Sequence, residues 1–153
     1  MGKISVVINT FNEEDKIAHA ITLIKSFADE IVVCDMESSD KTVDIAKKLG
    51  AKVYSHKKEN YVELVRNFMI SKATCDWILI VDLDEEIPPK LAKTLKGLPQ
   101  GGRTDSSGVA AADYYRIARK NIIFGKWIKH TNWWPDYNIR FFKKGFVSWN
   151  EAI

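Results

Sequence analysis

The chain has 153 residues and a mass of 17.5 kDa, which suits one domain built on a single core and excludes a multidomain machine. With 46% hydrophobic and 28% charged side chains it lies in the globular range, so a disordered chain, a collagen-like repeat and a disulfide scaffold are excluded. The net charge of +3 is too small for the surface as a whole to capture nucleic acid, but it is uneven: residues 1–99 hold 14 basic and 16 acidic side chains, residues 100–153 hold 9 and 4.

No apolar run approaches the roughly 18 residues of a membrane span, and Lys3 followed by a short β-branched run is not a signal peptide, so the chain reads as cytoplasmic. Cys34 and Cys75 adjoin apolar runs without a His or Cys at ligand spacing and read as reduced, packed thiols.

In chain order, Lys3 to Asn9 is too short for a helix and too apolar for a half-exposed strand, which predicts a buried parallel strand. Asn12 offers an N-cap, acidic residues follow, and Ile17, Ala20, Ile21, Ile24, Phe27 and Ala28 recur at helical spacing. The cycle repeats: Glu30 to Cys34 reads as a strand, Ser39 or Asp40 caps a helix that closes at Gly50, and Ala51 to Tyr54 reads as a third strand. Tyr61, Leu64, Val65, Phe68 and Ala73 mark a further helical stripe, and Trp77 to Val81 is the most apolar strand. Pro88 and Pro89 open a helix that closes near Gly97, and Leu98 to Gly108 reads as an exposed connector. Val109 to Ala118 and Asn138 to Phe142 read as strands among aromatic-rich segments. Alternating strands and helices predict an α/β, Rossmann-like, doubly wound and mostly parallel sheet with helices on both faces, its ligand crevice at the carboxyl ends of the strands.

Four polar clusters follow the predicted strands: Asn9 to Glu13, Asp35 to Asp40, His56 to Asn60, and Asp82 to Glu86. Carboxylates gathered on one rim repel one another, which a bound cation or a donor-rich ligand would relieve. If the strand ends near Asp82, alternation sends Asp82 and Asp84 to the same side, where hard oxygen ligands suit Mg2+ or Mn2+. The plain alternative is that these acids form turns and cap helices. No Gly-rich dinucleotide or P-loop motif follows the first strand.

The ordered segments Val6 to Glu13, Val33 to Thr42, Arg66-Asn67 and Trp77 to Glu85 resemble the motifs of family 2 glycosyltransferases with the GT-A fold. The stretch Tyr115 to Gly125, with Trp127, Trp134-Pro135-Asp136-Tyr137 and Ile139-Arg140-Phe141-Phe142, is similar to the branch that includes lipopolysaccharide core glucosyltransferases.

The resemblance implies an inverting transfer of sugar from a nucleotide diphosphate donor, chiefly a uridine diphosphate sugar, to a hydroxyl on a glycan or glycolipid acceptor. It assigns base and ribose contacts to Thr10, Phe11, Asn12, Glu13 and Asp35, a basic contact near the nucleotide to Arg66, ribose to Asp82, and a divalent Mg2+ or Mn2+ to Asp84. It also places an acid near the acceptor at Asp136, the candidate general base, whose plain reading is a turn carboxylate after Pro135. Trp133 and Trp134 adjoin in one loop, and Trp134 is the candidate acceptor contact, whereas Trp127 and Trp149 read as core packing. Lys126, Lys129, Arg140, Lys143 and Lys144 form a basic face, either solvated or suited to an anionic acceptor or lipid headgroups at the cytosolic side of a membrane. His19, His56 and His130 lack ligand spacing.

The chain divides on this reading into a nucleotide-sugar half over 1–99 and an incomplete acceptor half over 109–153 of one domain, since relatives usually continue past the point matching Ile153. Glu37 and Lys41 stand where the family often has small or Gly residues. Two competing readings are a haloacid-dehalogenase-like Mg-dependent phosphohydrolase, with Asp82 as nucleophile and Asp84 as partner acid, and a noncatalytic module that binds nucleotide sugar.

Overall fold

A computed structural model describes residues 2–98, 112–131 and 133–150. Its elements are β1 (Ile4–Thr10), α1 (Glu14–Ile24), β2 (Glu30–Asp35), α2 (Thr42–Lys48), β3 (Lys52–Ser55), α3 (Glu63–Lys72), β4 (Trp77–Val81), α4 (Pro89–Gly97), β5 (Tyr114–Arg119), β6 (Ile122–Ile123), β7 (Lys126–Trp127) and β8 (Asp136–Lys143). The main sheet has six strands in the order β3-β2-β1-β4-β8-β5, and β6 and β7 form a separate two-stranded hairpin. Strands β1 to β4 are mutually parallel, whereas β8 lies antiparallel between β4 and β5.

The apolar runs form strands because both sheet faces are covered. On one face Val6, Ile8, Val33 and Leu79 pack with Ile17 and Ile21 of α1, Ala46 of α2 and Leu95 of α4. On the other, Val7, Val32 and Ile80 pack with Val65, Met69 and Ile70 of α3. Successive strand residues thus serve opposite cores, and a hydrophilic residue at either parity would break one of them. Strand β8 joins both: Phe141 stacks on Trp77 at 4.8 Å between ring centroids, and the neighbouring Phe142 faces Trp149. Among the described residues no helix is long and apolar enough to cross a membrane.

The expected N-cap at Asn12 is corrected. Asn12 takes a left-handed φ of 52°, and Glu13 is the capping residue without a side-chain cap bond. The donors at the start of α1 are met from the β2–α2 loop: Glu13 N–H donates to Thr42 Oγ1 at 2.8 Å and Glu14 N–H to Asp40 Oδ2 at 3.1 Å. Lys41 N–H donates back to Glu14 Oε2 at 3.0 Å, so two loops that each follow a parallel strand cap one another. Tyr61 is exposed and does not join the buried stripe of α3, where Arg66 is buried instead. Of the strand expected from Val109, residues 109–111 lie outside the described residues, as does most of the connector before it.

Candidate active site

Strand ends place the site. Thr10 closes β1, Asp35 closes β2, and the Asp82 to Glu86 segment leaves β4 at the same edge of the sheet. Thr10 and Asp35 are Cα partners across the β1–β2 ladder. Both are buried, Asp35 accepts Ser38 N–H on Oδ2 at 3.1 Å, and its Oδ1 has no hydrogen-bond partner among the described residues. The same holds for Thr10 Oγ1, Asn9 Oδ1 and Arg66 Nη1. Folded proteins almost always satisfy such atoms, so several at one rim mark a surface built to meet a polar ligand.

Other predicted contacts are already engaged. Asn12 Oδ1 accepts Ser39 N–H at 2.8 Å while its own N–H donates to Ser38 Oγ, which clasps the two loops together. Glu13 pairs with Lys16 at 2.8 Å. Phe11 offers a flat ring at the rim, with Lys58 Nζ 3.8 Å from its centroid. Glu37 adopts a left-handed φ of 62°, a conformation that Gly takes without steric cost, which accounts for the small residue the family favours there.

At the end of β4 the structure departs from strand alternation. The strand stops at Val81, and Glu85 N–H donates to the Asp82 carbonyl at 2.9 Å, so Leu83 and Asp84 form a tight turn. Asp82 accepts from Arg140 at 2.7 Å and lies 3.7 Å from Arg66. Arg140 also reaches Glu85 at 2.9 Å. Burial pushes the Glu85 carboxyl above its usual range, with Arg140 opposing. Burial likewise lowers Arg66, with Asp82 opposing. The counter-charge for Asp82 and Glu85 is therefore supplied by arginine, and the assignment of Arg140 to a solvated basic face is corrected. Lys143 is likewise paired, with Asp113 at 2.6 Å, and Lys144 donates to the Ala73 carbonyl.

Asp84, like Glu86, is exposed and makes no ion pair or hydrogen bond among the described residues, and Lys16 feels its charge. It borders a cavity of about 670 Å³ together with Glu85, Ile117, Arg119, Asn138 and Arg140. Among the described residues no three His, Cys, Asp or Glu side chains converge as a ready-made metal cage. The exposed Asp84 carboxylate nonetheless fits Mg2+ or Mn2+, which are held by one or two carboxylates together with substrate phosphates and water.

Asp136 begins β8 opposite Arg119 of β5. It pairs with Arg119 at 2.8 Å and accepts from Asn121 at 3.3 Å and Asn138 at 3.0 Å. Burial would raise its carboxyl, but these donors outweigh it and hold Asp136 below the usual range. Arg119 also stands 3.7 Å from Glu85, so one guanidinium separates Asp136 from the turn that carries Asp84. Trp134 is exposed and meets Trp127 edge-on at 5.1 Å; Trp127, expected in the core, is exposed as well.

Sequence reasoning placed Glu85 in the Asp82 to Glu86 cluster but missed Arg119, Asn121, Asn138 and Arg140 as its partners. The opposed charges of Arg119 and Asp136 were visible, but only the β5–β8 register makes them a pair.

The family model for glycosyl transferase family 2 matches residues 5–149. A glycosyltransferase of Rickettsia typhi, itself described as uncharacterized, is 47% identical over 91 residues, 60% of this chain and 31% of the relative. Glucosyl-3-phosphoglycerate synthase from Mycobacterium tuberculosis, solved with Mn2+, uridine diphosphate and glucosyl-3-phosphoglycerate, is similar at 28% identity and a TM-score of 0.52, covering 65% of this chain and 39% of that one. S. aureus TarS 1-349 is similar at 27% identity and a TM-score of 0.56, covering 64% and 32%. The chain spans about a third of the length of the curated relatives it matches. The phosphohydrolase alternative gains nothing from these likenesses, and its required nucleophile, Asp82, is held by Arg140.

Proposed function

This chain belongs to glycosyl transferase family 2, and from that membership we propose that its rim binds a nucleotide diphosphate sugar, a uridine diphosphate sugar foremost, for inverting transfer to a hydroxyl acceptor. The observation that carries the reading is the set of unpartnered buried polar atoms, Thr10 Oγ1, Asp35 Oδ1 and Arg66 Nη1, on the edge that also bears the exposed Asp84.

Thr10 and Asp35 accept hydrogen bonds from base or ribose, Phe11 offers its face to the base, and the loop clasp of Asn12 and Glu13 fixes the floor beneath them. Arg66, charged and buried, directs its free Nη1 toward the nucleotide, and Asp82, oriented by Arg140, lies beside it near the ribose. Asp84 would hold the divalent cation, which when bound offsets the negative charge that grows on the departing diphosphate. Asp136 takes the proton from the acceptor hydroxyl as the new carbon–oxygen bond forms on the face opposite the breaking bond to diphosphate. Arg119 and the two asparagines hold its carboxyl below the usual range and fix its direction. Trp134 supplies a ring to the acceptor.

The aromatic stretch from Tyr115 to Tyr137 supports an acceptor of the lipopolysaccharide core or a related envelope glycan, made at the cytosolic face. Titration of uridine diphosphate by calorimetry with and without Mn2+ tests the donor reading. Binding is expected to strengthen with Mn2+, and Asp84→Ala should cancel that gain, roughly tenfold or more, while leaving the metal-free affinity in place. No binding under either condition would sink the assignment.

A further inference from the structure

The β6–β7 hairpin serves neither core. Ile122 pairs with Trp127 and Ile123 with Lys126, and the connecting two-residue turn is Phe124-Gly125. Both turn residues have positive φ, 50° for Phe124 and 73° for Gly125, the geometry of the tightest hairpins. Asn or Gly takes that first position readily, whereas an aromatic residue there is strained. The strained ring is not packed: Phe124 is 99% exposed at the tip, and Ile122 behind it is 59% exposed.

Along the chain around this apolar tip the charge has one sign, while Asp84, Glu85 and Glu86 line the cavity behind it beside Lys120 and Ile122. Between Asp113 and Asp136 the chain carries five basic side chains and no acidic one. Lys120 and Lys129 hold their ammonium groups 4.8 and 4.3 Å from the Trp127 ring centroid, and Lys126 is exposed beside the turn. Trp134 meets Trp127 edge-on, and Asn121 donates to the Trp133 carbonyl at 3.2 Å, which anchors the hairpin to the Trp133-Trp134 loop. A free apolar tip, a belt of tryptophans behind it and lysines that can extend past them match the layering of a bilayer surface: acyl chains, then the interface, then anionic headgroups. A soluble anionic glycan would satisfy the lysines and leave Phe124 and Ile122 in water.

We propose that the Ile122–Trp127 hairpin docks this protein on an anionic lipid bilayer, with Phe124 entering the acyl boundary and Lys120, Lys126 and Lys129 on the headgroups. The inference stands on the hairpin alone and does not need the donor reading. If that reading holds as well, the hairpin sets the cavity beside Asp84 next to the lipid surface, because Lys120, Asn121 and Ile122 line both.

Co-sedimentation of the whole chain with phosphatidylglycerol-containing vesicles, against pure phosphatidylcholine vesicles, tests it. Binding to the anionic vesicles is expected, weaker in high salt, and reduced about tenfold or more by Phe124→Ser. Lys126→Glu should reduce it too. Far-UV circular dichroism and uridine diphosphate titration of both variants are expected to match the parent, which separates this outcome from misfolding and from failure of the donor site. Equal partition to both vesicle types, no partition at all, or full binding by a folded Phe124→Ser variant would overturn the proposal. So would a concentration-dependent dimer that Phe124→Ser abolishes, since a second copy would then be what covers the tip.

Discussion

Glu30 and Asp35 open and close the same strand, β2, and both are buried, yet the protein treats them in opposite ways. At the amino end of the sheet Glu30 receives Lys52 Nζ at 2.7 Å, Thr74 N–H at 2.7 Å, Thr74 Oγ1 at 2.9 Å and the Ser5 hydroxyl. Burial alone would raise its carboxyl, but the donors outweigh it and bring the pKa from the ordinary 4.5 down to about 2. At the carboxyl end Asp35 has one oxygen on Ser38 N–H and the other unpartnered among the described residues. A cavity opens at each edge, about 560 Å³ beside Glu30 and about 670 Å³ beside Asp84. Size does not separate them; the state of the polar groups does. A carboxylate with its donors supplied from within is part of the scaffold, and one left short is set to receive a ligand.

The sharpest way to break that contrast is to remove the charge at Glu30. Glu30→Gln should cost about 2–3 kcal/mol of stability at neutral pH, read by urea unfolding, with uridine diphosphate affinity unchanged. The sign follows from the depressed pKa. The carboxylate contributes fully above the unfolded value near 4.5, and its contribution fades as pH falls toward 2. The gap between parent and Glu30→Gln should therefore narrow steadily below about pH 4.5. A gap independent of pH would mean that Glu30 acts through packing rather than charge.

Asp35→Ala should show the converse. Losing a buried charged acceptor is expected to weaken uridine diphosphate by roughly ten- to hundredfold. Stability should change by no more than about 1 kcal/mol, since the lost Ser38 bond is offset by relief of an unpaired buried oxygen. A large loss of stability with unaltered nucleotide affinity would make Asp35 a second Glu30 and erase the distinction between the two edges.

What could be read ahead of the structure follows the same division between local and distant causes. Strand β4 was legible at its observed bounds, Trp77 to Val81, because five apolar residues bounded by polar ones have one economical use in a sheet covered on both faces. Thr10, Asp35 and Asp84 were legible as rim residues because each follows such a run. Asn12 was misread as a cap because its competitors, Asp40 and Thr42, lie 26 and 29 residues from the N–H groups they meet and arrive only when β1 and β2 pair. Arg140 was misread for the same reason. Its partners Asp82 and Glu85 are 58 and 55 residues distant, and nothing local to β8 announces that it inserts antiparallel beside β4. The exposed Phe124 was hidden in an apolar stretch because local pattern cannot distinguish a tip from a core.

Asp136 falls between the two extremes, and the smallest expected effect is the most informative about it. Like Glu30 it is supplied with donors, by Arg119, Asn121 and Asn138; like Asp84 it stands at an accessible part of the molecule. If it is the base, it must be ionised to work, and Arg119 helps to keep it so. Arg119→Gln removes that support, so the Asp136 pKa rises and the acidic limb of kcat/KM should move to higher pH, with about a two- to fivefold loss at the acid end and little change above neutrality. Arg119 also lowers Glu85, so a shift in the limb could report Glu85 instead. The same pH profile measured in a Glu85→Gln background separates them. A limb that still moves when Arg119 is replaced assigns the ionisation to Asp136, whereas one that has become insensitive to Arg119 assigns it to Glu85 and leaves Asp136 as a structural pair.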